Sequence, residues 1–294
     1  MAAGGASGAG AGVSRRALVF GASGQIGRPL LARLRADGWM VDAVSRQPRA
    51  TFDGVRWLRG DLAACDGLPA TVDAIFSCGP LDAFAHWYAH AGITAERVVA
   101  FGSTSVHVKR DSRDPAERDV AARLAEGERA LFAAAQARGA AAAVLRPTLV
   151  YGGGADRTLS RIAALARRWG RFVLPRGAVG LRAPVHVDDL AAAALAACAA
   201  GARGGFDLPG GEVLPYREMV ARVLAVLEPP ARLLEVPAPL FALLLAGARV
   251  AGLRGLGDAA LARMREDLVF DPAPARAAFG YAPRAFRPDA GMFG

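Results

Sequence analysis

Lysine is almost missing from this chain. Its 294 residues include 36 lysines and arginines together, yet Lys109 is the only lysine and the rest are arginine. Arginine keeps its proton at any ordinary pH and grips phosphate with a planar fork, whereas lysine can exchange a proton. The chain is thus equipped to hold anions and has one lysine for proton chemistry. Cysteine is also scarce: Cys65, Cys78 and Cys198 are odd in number and far apart. That argues against a disulfide framework or a cysteine metal site, and it points to a reducing compartment, so a cytoplasmic location is expected. His86 and His90 stand four residues apart, but no third ligand lies nearby in the sequence, so no metal is expected. Long apolar runs are absent too. The most apolar stretch, Leu240 to Leu253, is too short to span a bilayer and contains Arg249. It is expected to be a buried helix. Residues 1–13 are small and glycine/alanine-rich without an apolar h-region, so they read as a disordered arm rather than a signal peptide.

What is present is hydrophobic: 53% of the residues, swollen by alanine. The length suits one large α/β unit with a smaller appended part. Short apolar runs end at turn residues in a repeated rhythm. They are Ala17–Phe20, Met40–Val44, Val55–Leu58, Asp73–Phe76, Val98–Phe101 and Ala143–Arg146, and helical segments separate most of them, notably around 81–91 and 117–138. Alternation of this kind predicts a doubly wound parallel sheet. After residue 150 the rhythm weakens. Helices are expected over 157–169, 190–200, 216–227 and 238–252, with Asp188 or Asp189 capping the second of these.

One loop carries recognisable chemistry. Gly21-Ala22-Ser23-Gly24-Gln25-Ile26-Gly27 follows the first strand and opens a helix marked by Ile26, Leu30 and Leu34. Glycines let backbone turn tightly and approach a pyrophosphate, and the helix N-terminus offers N–H donors. Gly21, Ser23, Gly24, Gln25, Ile26 and Gly27 are therefore the candidate pyrophosphate loop of a nicotinamide dinucleotide. The spacing is G-x-x-G-x-x-G. Arg46 stands at the end of the second strand, where an NAD-selective site places an acid for the ribose 2′-hydroxyl. NADP(H) is favoured on that ground, and NAD(H) stays open.

These pieces recur in a known order. The loop GASGQIG, Gly60-Asp61-Leu62, Ser103-Thr104-Ser105-Val106, Arg146-Pro147-Thr148-Leu149-Val150-Tyr151-Gly152 and His186-Val187-Asp188-Asp189-Leu190 follow one another along the chain. Together they resemble the extended short-chain dehydrogenase/reductase superfamily in its NAD-dependent epimerase/dehydratase branch, over residues 16 to about 200. The resemblance implies a Rossmann-type sheet over 14–150 and a smaller, mostly helical substrate part over 151–294 that partly returns to the sheet. It implies that Asp61 and Leu62 lie near the adenine, and that Cys78, Gly79 and Pro80 line the cofactor cleft. It also places Ser103 near the nicotinamide, Pro147 and Leu149 beside it, and Tyr151, Arg161 and His186 on the substrate side.

The departure from that family is chemical. Its catalysts use a Tyr-x-x-x-Lys pair whose lysine lowers the tyrosine pKa. The tyrosines here are Tyr88, Tyr151, Tyr216 and Tyr281, and none precedes a lysine by four. Aligning Glu128 with the glutamate that follows the family pair puts Val120 and Leu124 at its two positions. The chain resembles the atypical members that keep the nucleotide fold and lose the pair. His107, just past the fifth strand, is a candidate substitute base because imidazole titrates near neutrality. A loop histidine without catalytic duty is the alternative. Arg157, Arg161, Arg167, Arg168, Arg171, Arg176 and Arg182 form a basic stretch that would suit a substrate phosphate or a solvated helix face. No nucleic-acid motif accompanies it. The expected function is an NAD(P)-dependent oxidoreductase or epimerase acting on a small hydroxyl, carbonyl or nucleotide-sugar-like substrate. The alternative is a non-catalytic dinucleotide sensor or accessory subunit. A small molecule is the expected partner, no nucleic acid and no membrane span are expected, and a homodimer is left open.

Overall fold

The computed structural model describes residues 14–51, 53–154, 156, 158–250 and 264–293, with 245–250 as backbone. The expected arm at 1–13, Arg157 and the end of the apolar stretch at 251–253 lie outside the described residues. The frame is a seven-stranded, all-parallel sheet. Strands β1 (Arg16–Phe20), β2 (Met40–Ser45), β3 (Val55–Arg59), β4 (Thr71–Ser77), β5 (Thr94–Phe101) and β6 (Ala141–Pro147) match the expected runs. Their order is β3-β2-β1-β4-β5-β6, and a seventh strand, β11 (Gly204–Leu208), pairs with β6. The strands are apolar along their length because helices cover both faces, so neither face can be polar.

Helices α1 (Gly27–Ala36) and α6 (Val187–Ala199) cover one face. Helices α2 (Leu81–His90) and α4 (Pro115–Ala137) cover the other, and the single turn α3 (Ser105–Val108) bridges β5 and α4. α1 buries Leu30, Leu31 and Leu34. α4 starts cleanly because the Asp114 carboxylate accepts the Ala116 N–H at 2.9 Å and Pro115 follows.

The region after residue 150 contributes a third core cluster. It gathers Ile162 from α5 (Leu159–Trp169), Met219 and Val223 from α7 (Tyr216–Ala225), Phe286 and Phe293 from further along, and Tyr151 and Leu174 from short strands. Short strand pairs frame it: β7 (Val150–Tyr151) with β10 (Val185–His186), β8 (Arg171–Pro175) with β13 (Arg232–Val236), and β9 (Leu181–Arg182) antiparallel to β12 (Leu214–Pro215). Helices α8 (Ala238–Val250) and α9 (Ala273–Phe279) follow, and a 3-10 turn covers Ala290–Phe293.

Two expectations need correction. The N-cap of α6 is His186, whose Nδ1 accepts the Asp188 N–H at 3.2 Å, while Asp189 instead pairs with Arg284. The helix begins two residues earlier than the aspartates suggested because an unprotonated imidazole nitrogen can do a carboxylate's capping work. The described part of the Leu240–Leu253 stretch, up to Val250, does form a helix, but the side chains described on it are mostly not buried. Leu240, Leu243 and Leu244 are 46%, 69% and 48% exposed, and Phe241 alone of this group turns inward. A helix that is apolar all round can bury only the stripe that meets a neighbour. No described helix is long and apolar enough to cross a membrane.

Candidate functional site

All seven strands run the same way, so their C-terminal ends share one edge. The strand order reverses between β1 and β4, the place where open α/β sheets bind their ligands. The glycine loop sits at this point. Gly21 turns with φ +71°, and a Cβ there would lie 3.0–3.2 Å from the backbone of Cys78 and Gly79. A Cβ on Gly27 would collide with the Gly21 carbonyl at 2.1 Å, so only glycine lets α1 start this close to β1. Gly24 is different: it is exposed and a Cβ would meet only the Gly21 oxygen. Ile26 is buried beneath the loop, and the Gln25 Oε1 is buried without a hydrogen-bond partner. Arg28 reaches over to donate to the Gly153 carbonyl at 3.2 Å, linking the loop to the turn after β7. The glycine cradle and its helix N-terminus fit a bound pyrophosphate.

The adenosine-side candidates also come together. Leu62 packs near Gly79, 3.8 Å from where its Cβ would stand. Pro80 caps α2 from outside. The Asp61 carboxylate accepts the Ala63 N–H at 2.8 Å and the Ala64 N–H at 3.2 Å. Those two bonds hold its pKa below the ordinary value, and the positive charge of Arg46 adds to the effect. Arg46 and Asp61 therefore share the mouth beyond β2 and β3. Burial pushes the Cys78 thiol up to about 12, so it stays protonated.

A separate cavity of about 280 Å³ lies at the end of β5. Ser103, Thr104, Ser105, Val108 and Lys109 form one wall, Thr148 and Leu149 the next. Thr158, Arg182 and Ala183 continue it, and Leu268 and Phe270 close it. Local bonds set the first wall. The Ser103 hydroxyl accepts the Ser105 N–H at 3.1 Å, and Thr104 donates from Oγ1 to the Pro147 carbonyl at 3.3 Å. Pro147 is buried beneath, and Thr148 donates to the Ala183 carbonyl. β5 is separated from β1 by one strand, so this wall stands about 10 Å from the glycine loop at the usual interstrand spacing.

Several sequence candidates lie outside this cavity. His107 is 45% exposed, with Nε2 3.2 Å from Asp207 Oδ1 and 3.5 Å from Arg146. Tyr151 is fully buried between His186 and Phe286, with edge-on ring contacts at 5.0 and 4.9 Å. His186 is buried as the cap of α6, and desolvation holds its pKa below the ordinary value. Arg161 lies on the exposed side of α5. The basic stretch disperses: Arg167 donates to the Phe293 carbonyl at 3.2 Å, Arg168 lies over the Trp169 ring, and of its described members only Arg182 lines the cavity. The His86 and His90 rings lie 4.6 Å apart, tilted by 47°, and among the described residues no group of three or more metal-ligating side chains occurs. The sequence alone did not flag Thr158, Leu268 or Phe270. Leu268 and Phe270 come from a segment more than a hundred residues downstream, and nothing local marks them.

No protein-family model matches the chain, and no curated protein matches its sequence. Solved structures do match its fold. Epimerase Mth375 from Methanothermobacter thermautotrophicus superposes with a TM-score of 0.69 at 16% identity, covering 93% of this chain and 89% of that one. MoeE5 in complex with UDP-glucuronic acid and NAD gives 0.64 at 21% identity, covering 92% and 94%. RMD from Pseudomonas aeruginosa complexed with NADPH gives 0.62 at 15% identity, again covering 92% and 94%. At these identities the likeness establishes the fold.

Proposed function

We propose that this chain is an NAD(P)-dependent oxidoreductase or epimerase of the atypical extended short-chain dehydrogenase/reductase type. Its substrate is a small hydroxyl or carbonyl compound, or a nucleotide-sugar-like one. The observation that carries this reading is the glycine cradle at the strand-order reversal with a hydroxyl-lined cavity one strand away at the same sheet edge. The fold neighbours that hold NAD, NADPH and a nucleotide sugar support it. Residues 14–150 hold the cofactor, and the region 151–294 supplies most of the substrate side.

In this reading Gly21, Ser23, Gly24, Gln25, Ile26 and Gly27 hold the pyrophosphate, and Arg46 meets a ribose 2′-phosphate. Asp61, Leu62, Cys78, Gly79 and Pro80 line the adenosine side, and Pro147 and Leu149 flank the nicotinamide. A bound nicotinamide supplies or accepts hydride. Ser103 orients the reacting oxygen and steadies charge that develops on it. Calorimetric titration with NADPH and NADH tests the assignment. Gly24→Val places a branched side chain where phosphate must approach, at a position whose backbone tolerates it, so dinucleotide binding should be lost while the fold survives. Unchanged affinity would sink the reading.

One observation favours the non-catalytic alternative. With Glu128 aligned to the glutamate that follows the family pair, Val120 and Leu124 of α4 fall at its two positions, and neither side chain can move a proton. Single-turnover mixing of the NADPH-loaded protein with a panel of carbonyl compounds decides between them. Tight cofactor binding without hydride transfer would make the chain a sensor or accessory subunit.

A further inference from the structure

We propose that Lys109, the only lysine in the chain, is the proton-transferring residue of the cavity beside Ser103. This rests on the oxidoreductase reading above and supplies the step that the missing tyrosine leaves open.

Of the described side chains lining that cavity, Lys109 and Arg182 alone are ionisable. A guanidinium does not release its proton in working conditions, and serine and threonine hydroxyls are too weakly acidic without help. Lys109 is therefore the one lining group that can give and take a proton. Its placement is built by the chain. The Lys109 N–H bonds to the Ser105 carbonyl at 3.0 Å, closing the turn of α3 and setting Ser105 and Lys109 on one face. The Lys109 side chain is 27% exposed, and its Nζ lies 4.0 Å from Glu117 of α4. Glu117 is itself held by the Ser112 hydroxyl at 2.7 Å. The other charge facing the cavity is Arg182 of β9, and the neighbours Arg110 and Asp111 bond to each other. The rival proton carriers are elsewhere: His107 is outside the lining, and Tyr151 and Tyr216 are buried, the latter under Arg182.

The step balances. A bound reduced nicotinamide would supply hydride to the substrate carbonyl carbon, and the C=O π electrons would move to oxygen. That oxygen forms an O–H bond with a proton from the Lys109 ammonium, whose N–H bond breaks. The neutral amine regains its proton from solvent. In the reverse direction the amine takes the alcohol proton.

A unique lysine makes the test direct. Trace acetylation with acetic anhydride, read by peptide mass spectrometry, labels residue 109 against the chain's amino terminus as internal control. NADPH should slow labelling of Lys109 several-fold and leave the terminus unchanged. Unprotected Lys109 in protein that binds NADPH overturns the placement. Single-turnover NADPH oxidation with small aldehydes, ketones and keto acids then separates the roles. Lys109→Met and Lys109→Arg should each lose about 10²- to 10⁴-fold in rate, the usual share of general acid–base help, with NADPH affinity kept. Activity retained in Lys109→Arg would show that charge alone is needed and overturn the proton role. No turnover in the unmodified protein would instead remove the enzyme reading itself.

Discussion

His186 shows how burial converts a candidate ligand into a structural part. Its Nδ1 can accept the Asp188 N–H only while unprotonated, and desolvation, followed by the charge of Arg284, keeps its pKa below the ordinary 6.5. The unfolded chain therefore takes up that proton more readily. The stability contributed by neutral His186 is complete above about pH 6.5 and is lost as pH falls through the folded value. Thermal melts should drop between pH 7 and pH 5, and His186→Asn, which keeps a capping group without titrating, should flatten that slope. Equal slopes in both proteins would assign the effect elsewhere. Arg46 makes a second prediction. A charge-assisted contact is worth about 1.5–3 kcal/mol, roughly ten- to a hundredfold in affinity. NADPH should bind tighter than NADH by that factor, and Arg46→Asp should reverse the order in calorimetry. Ser103 faces the cavity and Tyr151 does not. Ser103→Ala should lower kcat by about 10²-fold, and Tyr151→Phe should leave it unchanged.

At the scale of elements, ion pairs tie the sheet to its surroundings. Arg146 of β6 pairs with both carboxylate oxygens of Glu128 on α4, and Asp207 of β11 stands 3.5 Å away. Glu128 is buried, and these contacts hold the Arg146 proton more firmly, Glu128 most of all. The pair aligns α4, which follows the turn bearing Ser105 and Lys109. Removing one partner leaves a buried charge uncompensated, which costs about 3–5 kcal/mol. Glu128→Gln should lower the urea midpoint accordingly, whereas Glu128→Met with Arg146→Met together should recover much of the loss. An additive double variant would show that the two side chains act independently. At the opposite end of the sheet, Asp42 is 2% exposed and receives Arg16 at 2.7 Å and Arg56 at 2.6 Å, joining β1, β2 and β3.

At the scale of the molecule, the chain end fastens the parts. The Tyr281 hydroxyl donates to the Pro209 carbonyl at 2.7 Å, Arg284 pairs with Asp189 of α6, and Phe286 is buried against Tyr151. α9 packs against α6 and β11. Residues 281–293 thus connect the face of the sheet covered by α6 with the third core cluster. Phe286→Ala should cost about 3–5 kcal/mol, as other buried aromatics do. The loss should appear as a shift of one cooperative transition in calorimetry, and a small early transition with the main one unmoved would show that the two cores unfold separately.

The strand positions and the glycine loop could be read from the amino-acid order because their signals are local. Apolar runs of four or five residues specify a buried parallel strand, and the seven-residue loop carries its own backbone demands. The rest depended on contacts between distant residues. β11 joins the sheet only because β6 offers an edge, and no periodicity in Gly204–Leu208 announces that. His107 and Lys109 are two residues apart in the chain, yet the turn of α3 sends Lys109 into the cavity and His107 to Asp207. Tyr151 and His186 sit in family-like segments, but the packing of Phe286 against Tyr151 buries them as structure. The cavity is assembled from residues 103–109, 148–149, 158, 182–183 and 268–270. Only tertiary folding brings such separated stretches to one wall, since side-chain direction and burial follow from long-range packing rather than from near neighbours.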